Sequence, residues 1–274
     1  MTPTSPSLMN LCACSLLSIL MALASAGCHS APRKDSQITF RVMTYNIHHG
    51  EGLDKKVDLQ RIADLIKREQ ADIVALQEVD KGVRRTDRRD LPAELSALTG
   101  LACVFSNNFN YQGGQYGNAV LTRFPVKRWT NTYFKMLSPG EQRGLLQLVL
   151  DVHGRELVIM DTHIDYRKDD TERLQNAAEL HEILHQYGGR PIILCGDFND
   201  TPGSPTHSKI AGDFTDAWAA VGAGGGFTIP AENPSKRIDY LWVSKSTPFI
   251  PVKAWVPESA ASDHLPVVAE MQFE

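Results

Sequence analysis

The sequence predicts an α/β fold richer in strands than in helices. Short apolar segments of strand length recur along the chain, whereas two segments show helical periodicity. Twenty Gly and 15 Pro supply many turns, which suits a sheet-rich fold better than a helical bundle. No repeat, low-complexity tract or linker interrupts residues 38–274, so they read as one domain within the 274-residue chain. An apolar share of 42% and a charged share of 22% exclude disorder, collagen and coiled coil.

Taken in order, Ile38–Tyr45 alternates, with Ile38, Phe40 and Val42 on one side, and runs into the polar Asn46. Asp58 is placed to cap a helix in which Leu59, Ile62, Ala63 and Ile66 recur at helical spacing. The run from Asp72 to Gln77 reads as a strand buried on both faces and ends at Glu78. Further strands are expected at Gly117–Thr122, Leu145–Val152, Leu157–Met160, Ile192–Cys195, Tyr240–Val243 and Pro266–Met271. Thr171–Tyr187 is a second helix, closed by Gly188 and Gly189. Several strands run directly into polar residues, as when a rigid scaffold presents a site at one sheet edge.

Ahead of the domain, residues 1–27 carry no charged side chain, and an apolar run ends in Ser25-Ala26-Gly27 before Cys28. This reads as a signal peptide with a small-residue cleavage site. Ala26-Gly27-Cys28 also resembles a bacterial lipoprotein box, in which Cys28 carries lipid. Residues 28–37 read as a polar tether. The expectation is export, to the periplasm or cell surface as a lipoprotein or otherwise by free secretion. Five Cys are too few for a disulfide scaffold, and Cys195, inside an apolar strand, reads as a buried thiol rather than a partner for Cys103.

The residues at the strand ends carry the chemistry. They are Asn46, Glu78, His163, the pair Asp197 and Asn199, then Asp239, and finally Asp263 with His264. Each alone is an ordinary turn or surface residue. Together they repeat carboxylates, amides and imidazoles after apolar strands along the whole chain. Oxygen donors without a Cys/His cluster suit Mg²⁺, Mn²⁺ or Ca²⁺ better than Zn²⁺. Such an ion beside a carboxylate base and two imidazoles is what phosphoester hydrolysis needs. Asp197 and Asn199, two apart on an extended segment, face the same side and can share one substrate.

With Gly-Asp-Phe-Asn at 196–199 and Ser-Asp-His-Leu-Pro at 262–266, the chain resembles the endonuclease/exonuclease/phosphatase (DNase I-like) superfamily. Met43-Thr-Tyr-Asn-Ile-His-His-Gly, Leu76-Gln-Glu-Val-Asp and Tyr116-Gly-Asn-Ala-Val-Leu-Thr-Arg are similar to a bacterial secreted branch, related to the C-terminal domain of GPI-anchor lipid-remodelling proteins. The resemblance implies a four-layer α/β sandwich of two packed mixed sheets flanked by helices. It implies that Asn46 and Glu78 hold the metal and that Asp263 lies near it. By the same likeness, Asp197 activates water, Asn199 and His163 contact the phosphate, and His264 bonds a phosphate oxygen with Asp239 fixing its ring. Arg85, Asn118, Arg123 and Asp165 are the expected substrate-binding residues.

Lys81, Arg84, Arg85, Arg88 and Arg89 form a basic cluster after Glu78 that reads as a solvated loop or a phosphate-binding rim. His181-Glu-Ile-Leu-His185 matches the zinc-protease helix signature, but Pro191 stands at the third ligand position of the extended pattern. The 28 Lys+Arg and 32 Asp+Glu, a net charge of −4, argue against a surface that clamps nucleic acid as a whole. The expected function is therefore that of an exported, metal-dependent phosphodiesterase, acting as a monomer on a lipid or sugar phosphoester. A secreted nuclease cleaving DNA or RNA is the alternative.

Overall fold

Alternation along the first strand sets the plan of the molecule. In β1 (Thr39–Asn46), Phe40 and Val42 face one way and Met43 and Tyr45 the other, and all four are buried. A strand covered on both faces requires a layer on each side. The same pattern recurs in β2 (Ile73–Lys81), β7 (Arg155–His163), β8 (Ile192–Asp197) and β10 (Asp239–Ser244). The computed structural model describes residues 38–245 and 247–273. The signal peptide and tether expected at 1–37 lie outside the described residues.

Two six-stranded sheets result. The first runs β11 (Phe249–Trp255), β12 (Val267–Phe273), β1, β2, β4 (Gly114–Thr122), β3 (Ala102–Tyr111). The second runs β5 (Val126–Tyr133), β6 (Gly144–Val152), β7, β8, β10, β9 (Phe214–Asp216). Within each sheet one pair is parallel, β1 with β2 and β7 with β8, so both sheets are mixed. They pack face to face through Phe40, Val42, Ile73, Leu148, Ile159, Ile193, Leu241 and Met271. The outer face of the first sheet is covered by α1 (Leu59–Glu69) and α2 (Leu91–Thr99). α3 (Thr171–His185) and α4 (Pro205–Ile210) cover the second. These are the four layers expected from the motifs.

Asp58 caps α1 as its sequence indicates, its carboxylate accepting the Gln60 N–H. The second expected helix, α3, is two residues shorter than read, ending at His185, with Gly188 and Gly189 in left-handed conformation just beyond. Four strands carry too weak a pattern to be read in advance. β5 is a largely exposed edge of polar composition, β3 carries Asn107, Asn108 and Asn110, β9 spans three residues, and β11 is broken by a bulge at Pro251. Cys195 is a buried free thiol in the inter-sheet layer, and Cys103 is also free.

Candidate active site

The positions that bury apolar side chains between the sheets turn polar toward one edge. Phe40 and Val42 are followed on the same face by Thr44 and Asn46, and Ile73 and Ala75 by Gln77. Leu157 and Ile159 lead to Asp161 and His163, and Ile193 and Cys195 to Asp197. Strand β10 runs antiparallel to β8, so its first residue, Asp239, sits opposite Asp197, while His163 pairs with Asp197 from the other side. Antiparallel pairing of β12 with β1 sets Val267 against Thr44, which carries the preceding Ser262, Asp263 and His264 to this edge.

Two local irregularities complete the set. The β2–β4 register shifts between Leu76 and Val79, and Glu78 in that bulge has φ 60°. Plain alternation would turn Glu78 toward the helices, and the bulge re-aims it. Gly196 brings β8 close to β7: a Cβ there would stand 2.1 Å from the Thr162 carbonyl oxygen. The glycine of Gly-Asp-Phe-Asn thus sets the strand spacing that places Asp197 beside His163.

Asp197 lies at the centre. Its Oδ1 accepts the Asn199 N–H at 2.9 Å and its Oδ2 accepts Asn46 Nδ2 at 3.0 Å. His163 Nε2 and His264 Nε2 approach the same Oδ2 at 3.5 and 3.8 Å. His264 Nδ1 is 2.9 Å from Asp239 Oδ2, and the His264 N–H is held by Ser262 Oγ, which donates to the Asn46 carbonyl at 2.7 Å. Asn46 also donates to Glu78 Oε1 at 3.1 Å, linking the two carboxylates. Asn199 gives one amide hydrogen to the Ile164 carbonyl and keeps a second for a ligand.

Burial separates the proton affinities of these groups. It pushes the Asp197 carboxyl up, helped by the Asp239 charge, to about 7. Burial alone would lower His264, but the Asp239 carboxylate outweighs it and raises the imidazole to about 10. Burial, the Arg143 guanidinium and His264 hold His163 well below the usual histidine range. A charged imidazole that donates and a neutral one therefore flank a carboxylate of unusually high proton affinity, a pattern typical of acid–base sites.

A cavity of about 260 Å³ opens on this cluster, lined by Glu78, His163, Asp197, Asn199 and His264 together with Arg85, Arg143, Glu141 and the rings of Phe109, Tyr111, Tyr116 and Tyr166. The Glu78 carboxylate in its wall, with the Asn46 side chain hydrogen-bonded to it, offers the hard oxygens that the expected divalent cation would take. Asp263 turns toward His48, its Oδ1 3.8 Å from Nδ1.

The expected substrate-binding residues fare unevenly. Arg85 lines the cavity, held by two bonds to Asp80 at 2.8 and 2.9 Å and set over Tyr111 and Tyr116. Arg123 does not reach it. It follows the end of β4 that pairs with the start of β2, and it bridges to Asp72 at 2.7 Å. Asn118 is buried beside Asp161 and accepts from Asn108 at 2.8 Å, below the cavity rather than in its wall. Asp165 faces away from the cavity and binds Arg167 at 2.7 Å.

Residues with no motif fill the wall instead. Arg143 is buried over the Tyr166 ring, 3.0 Å from Glu141, and its Nε has no hydrogen-bond partner among the described residues. The inward-facing positions of the strands could have flagged Asp161, two before His163. Its Oδ1 accepts from Gln77 at 2.6 Å, and burial pushes its pKa well above the carboxylate range.

The zinc-protease signature stands apart. His181 and His185 lie on the exposed flank of α3, their Nε2 atoms 3.2 Å apart, with His181 Nδ1 bound to Asp213 at 2.6 Å. Among the described residues no third His, Cys, Asp or Glu closes a metal-binding group with them.

Comparison with known proteins agrees with this geometry. The model of the endonuclease/exonuclease/phosphatase family matches residues 43–264. The chain is 29% identical over 259 residues to the uncharacterized protein YbhP of Escherichia coli K12, covering 88% of this chain and 100% of that one. It is 24% identical over 212 residues to a 5'-tyrosyl-DNA phosphodiesterase of Caenorhabditis elegans, covering 74% of this chain and 54% of the other. The crystal structure of an endonuclease/exonuclease/phosphatase from Beutenbergia cavernae matches with a TM-score of 0.71 at 26% identity, covering 86% of this chain and 72% of that one. Since the family match spans most of the domain and both sheets follow the same architecture, this chain belongs to the endonuclease/exonuclease/phosphatase family of phosphoester hydrolases.

Proposed function

We propose that the protein is an exported phosphodiesterase that cleaves a small lipid or sugar phosphoester by metal-assisted attack of water. The observation that carries this reading is the position of Asp197, a buried carboxylate of raised proton affinity set between two imidazoles at the mouth of a small cavity. A cation held by Glu78, Asn46 and Asp263 would offset phosphate charge. Asp197 takes the proton of the attacking water. His264 donates through Nε2 to the phosphoryl oxygen that gains charge, its ring pinned through Nδ1 by Asp239. His163, neutral, and the free amide hydrogen of Asn199 orient the remaining oxygens.

The cavity dimensions favour a compact substrate. Its four aromatic rings offer stacking surface, and Arg85, whose Nε and Nη2 are held by Asp80, keeps its Nη1 hydrogens for a phosphate or a second anionic group. In the basic cluster around it, three of the five side chains are already spent on neighbouring carboxylates: Lys81 on Asp90, Arg85 on Asp80 and Arg89 on Glu94. That leaves little positive field for a long polyanion. Export and a lipid tether at Cys28 belong to the same reading and rest on the sequence of residues 1–37.

Cleavage of nucleic acid is the second reading. It is supported by the likeness to a 5'-tyrosyl-DNA phosphodiesterase and by the exposed Arg84 and Arg88 of the basic cluster to which the cavity residue Arg85 belongs. Screening the purified protein on bis-p-nitrophenyl phosphate, p-nitrophenyl phosphate, sphingomyelin, phosphoinositides and plasmid DNA, with and without divalent ions, separates the two. The proposal expects ion-dependent cleavage of a small diester that varies little with salt. Cleavage of DNA alone, falling steeply with salt, would replace it with the nuclease reading. No hydrolysis of any phosphoester at any ion would defeat both.

A further inference from the structure

Between β1 and α1 the chain makes a turn of three consecutive left-handed residues. His48, His49 and Gly50 stand consecutively at φ 45°, 46° and 86°. The turn is closed by Gly50 N–H to the Ile47 carbonyl at 2.8 Å and Glu51 N–H to the His48 carbonyl at 2.9 Å. Left-handed backbone is uncommon outside Gly, and among other residues Asn, Asp and His adopt it most readily. Two consecutive left-handed residues other than Gly, beside Glu78, form an uncommon turn of the kind found at functional positions.

Their side chains converge on Glu78. One ring nitrogen from each histidine and one Glu78 carboxylate oxygen all lie within 4.8 Å of one another. His49 is 7% exposed, and its Nδ1 is buried without a hydrogen-bond partner among the described residues. Nε2 of the same ring stands 3.8 Å from Glu51. A buried ring nitrogen left bare is costly, and a cation would supply its missing partner. Nitrogen and oxygen ligands sit roughly 2.0–2.2 Å from an ion such as zinc, hence at most about 4.4 Å from one another. Shifts of a few tenths of an ångström would therefore let one ion meet all three donors.

We propose that His48 and His49 are metal ligands alongside Glu78, forming an imidazole–carboxylate centre that prefers Mn²⁺ or Zn²⁺ to Mg²⁺. Imidazole suits first-row transition ions, whereas Mg²⁺ keeps an all-oxygen octahedral shell with several waters. The inference rests on the hydrolytic reading only in placing the cation at Glu78, and its test involves no substrate. Full-length protein is stripped with a chelator and titrated separately with Mn²⁺ and Mg²⁺ by calorimetry. Pulsed electron paramagnetic resonance of the Mn²⁺ form then looks for nitrogen coupling.

The expected result is Mn²⁺ bound at least about 100-fold more tightly than Mg²⁺, with imidazole nitrogen modulation. His48→Asn and His49→Asn keep a residue that tolerates the left-handed turn. Each should weaken Mn²⁺ about 10–100-fold and reduce the nitrogen signal, while Mg²⁺ binding changes by less than about threefold. If His49→Asn fails to fold, the wild-type nitrogen signal and His48→Asn decide the matter. Mn²⁺ bound without nitrogen coupling, or affinities unchanged in both variants, overturns the proposal. A protein that binds Mn²⁺ through imidazole yet cleaves no phosphoester would defeat the proposed function and leave this inference standing.

Discussion

Replacing Asp239 by Asn separates the charge behind His264 from its shape. Asp239 is fully buried, with Oδ2 2.9 Å from His264 Nδ1. At that distance and an effective dielectric constant of about 20, opposite unit charges attract by about 6 kcal/mol. The net value of a hydrogen bond to a charged group is smaller, up to about 3 kcal/mol. These figures bracket the stabilisation lost when His264 no longer has an anion behind it. At about 1.4 kcal/mol per tenfold, kcat for bis-p-nitrophenyl phosphate should fall about 10²- to 10⁴-fold. KM should hold, because Asp239 lies beneath His264 and does not line the cavity. Losing the buried partner of a charged His264 also costs stability, so the variant should melt below wild type at neutral pH while remaining folded. A folded Asp239→Asn protein turning over within about threefold of wild type would refute the role given to this pair.

Other outcomes follow from the same geometry. Asp161 keeps its proton in the fold at pH values where the unfolded chain, with a carboxyl near pKa 3.9, has lost it. The unfolded state therefore binds fewer protons there, and stability falls as pH rises. Asp161→Asn removes that slope, so its melting temperature should gain on wild type between about pH 4 and 8, and a constant difference would contradict this. Arg237 bridges to buried Asp216 at 2.6 Å. Arg237→Met removes that partner but leaves the Trp218 N–H and His207 beside the carboxylate, and should cost about 1–3 kcal/mol in denaturant unfolding. Partners hold Asp216 below the usual carboxylate range against the opposing effect of burial, so that loss should shrink as acid protonates it. Gly196→Ala drives a methyl into the Thr162 carbonyl and should lower both melting temperature and turnover, while an unperturbed variant would show that the strand spacing relaxes freely.

What could be read in advance was whatever alternation controls. Asn46, His163, Asp197 and Asp239 share an edge because each continues the inward face of a strand whose apolar residues announce it. Glu78 breaks that rule, and its motif rather than its periodicity gave it away; the bulge that turns it has no signature in a single sequence. Arg123 misled because its motif fixes the strand but not which end of an antiparallel neighbour it meets. Arg143 and Tyr166 escaped notice because they come from connecting segments, whose positions depend on packing rather than on period. The edge strand β5, exposed and polar, shows the same limit at the level of the fold.

The most direct test of Asp197 as the base is the turnover of Asp197→Asn on a small phosphodiester with saturating divalent ion. The amide preserves the shape, and its single oxygen can keep only one of the Asn46 and Asn199 hydrogen bonds, which end on different oxygens of Asp197, but it cannot take a proton from water. Loss of about 10²–10⁴-fold in kcat, in a variant that still folds cooperatively, is the expected result. A folded variant that hydrolyses at the wild-type rate would place the base elsewhere and contradict the mechanism at its centre.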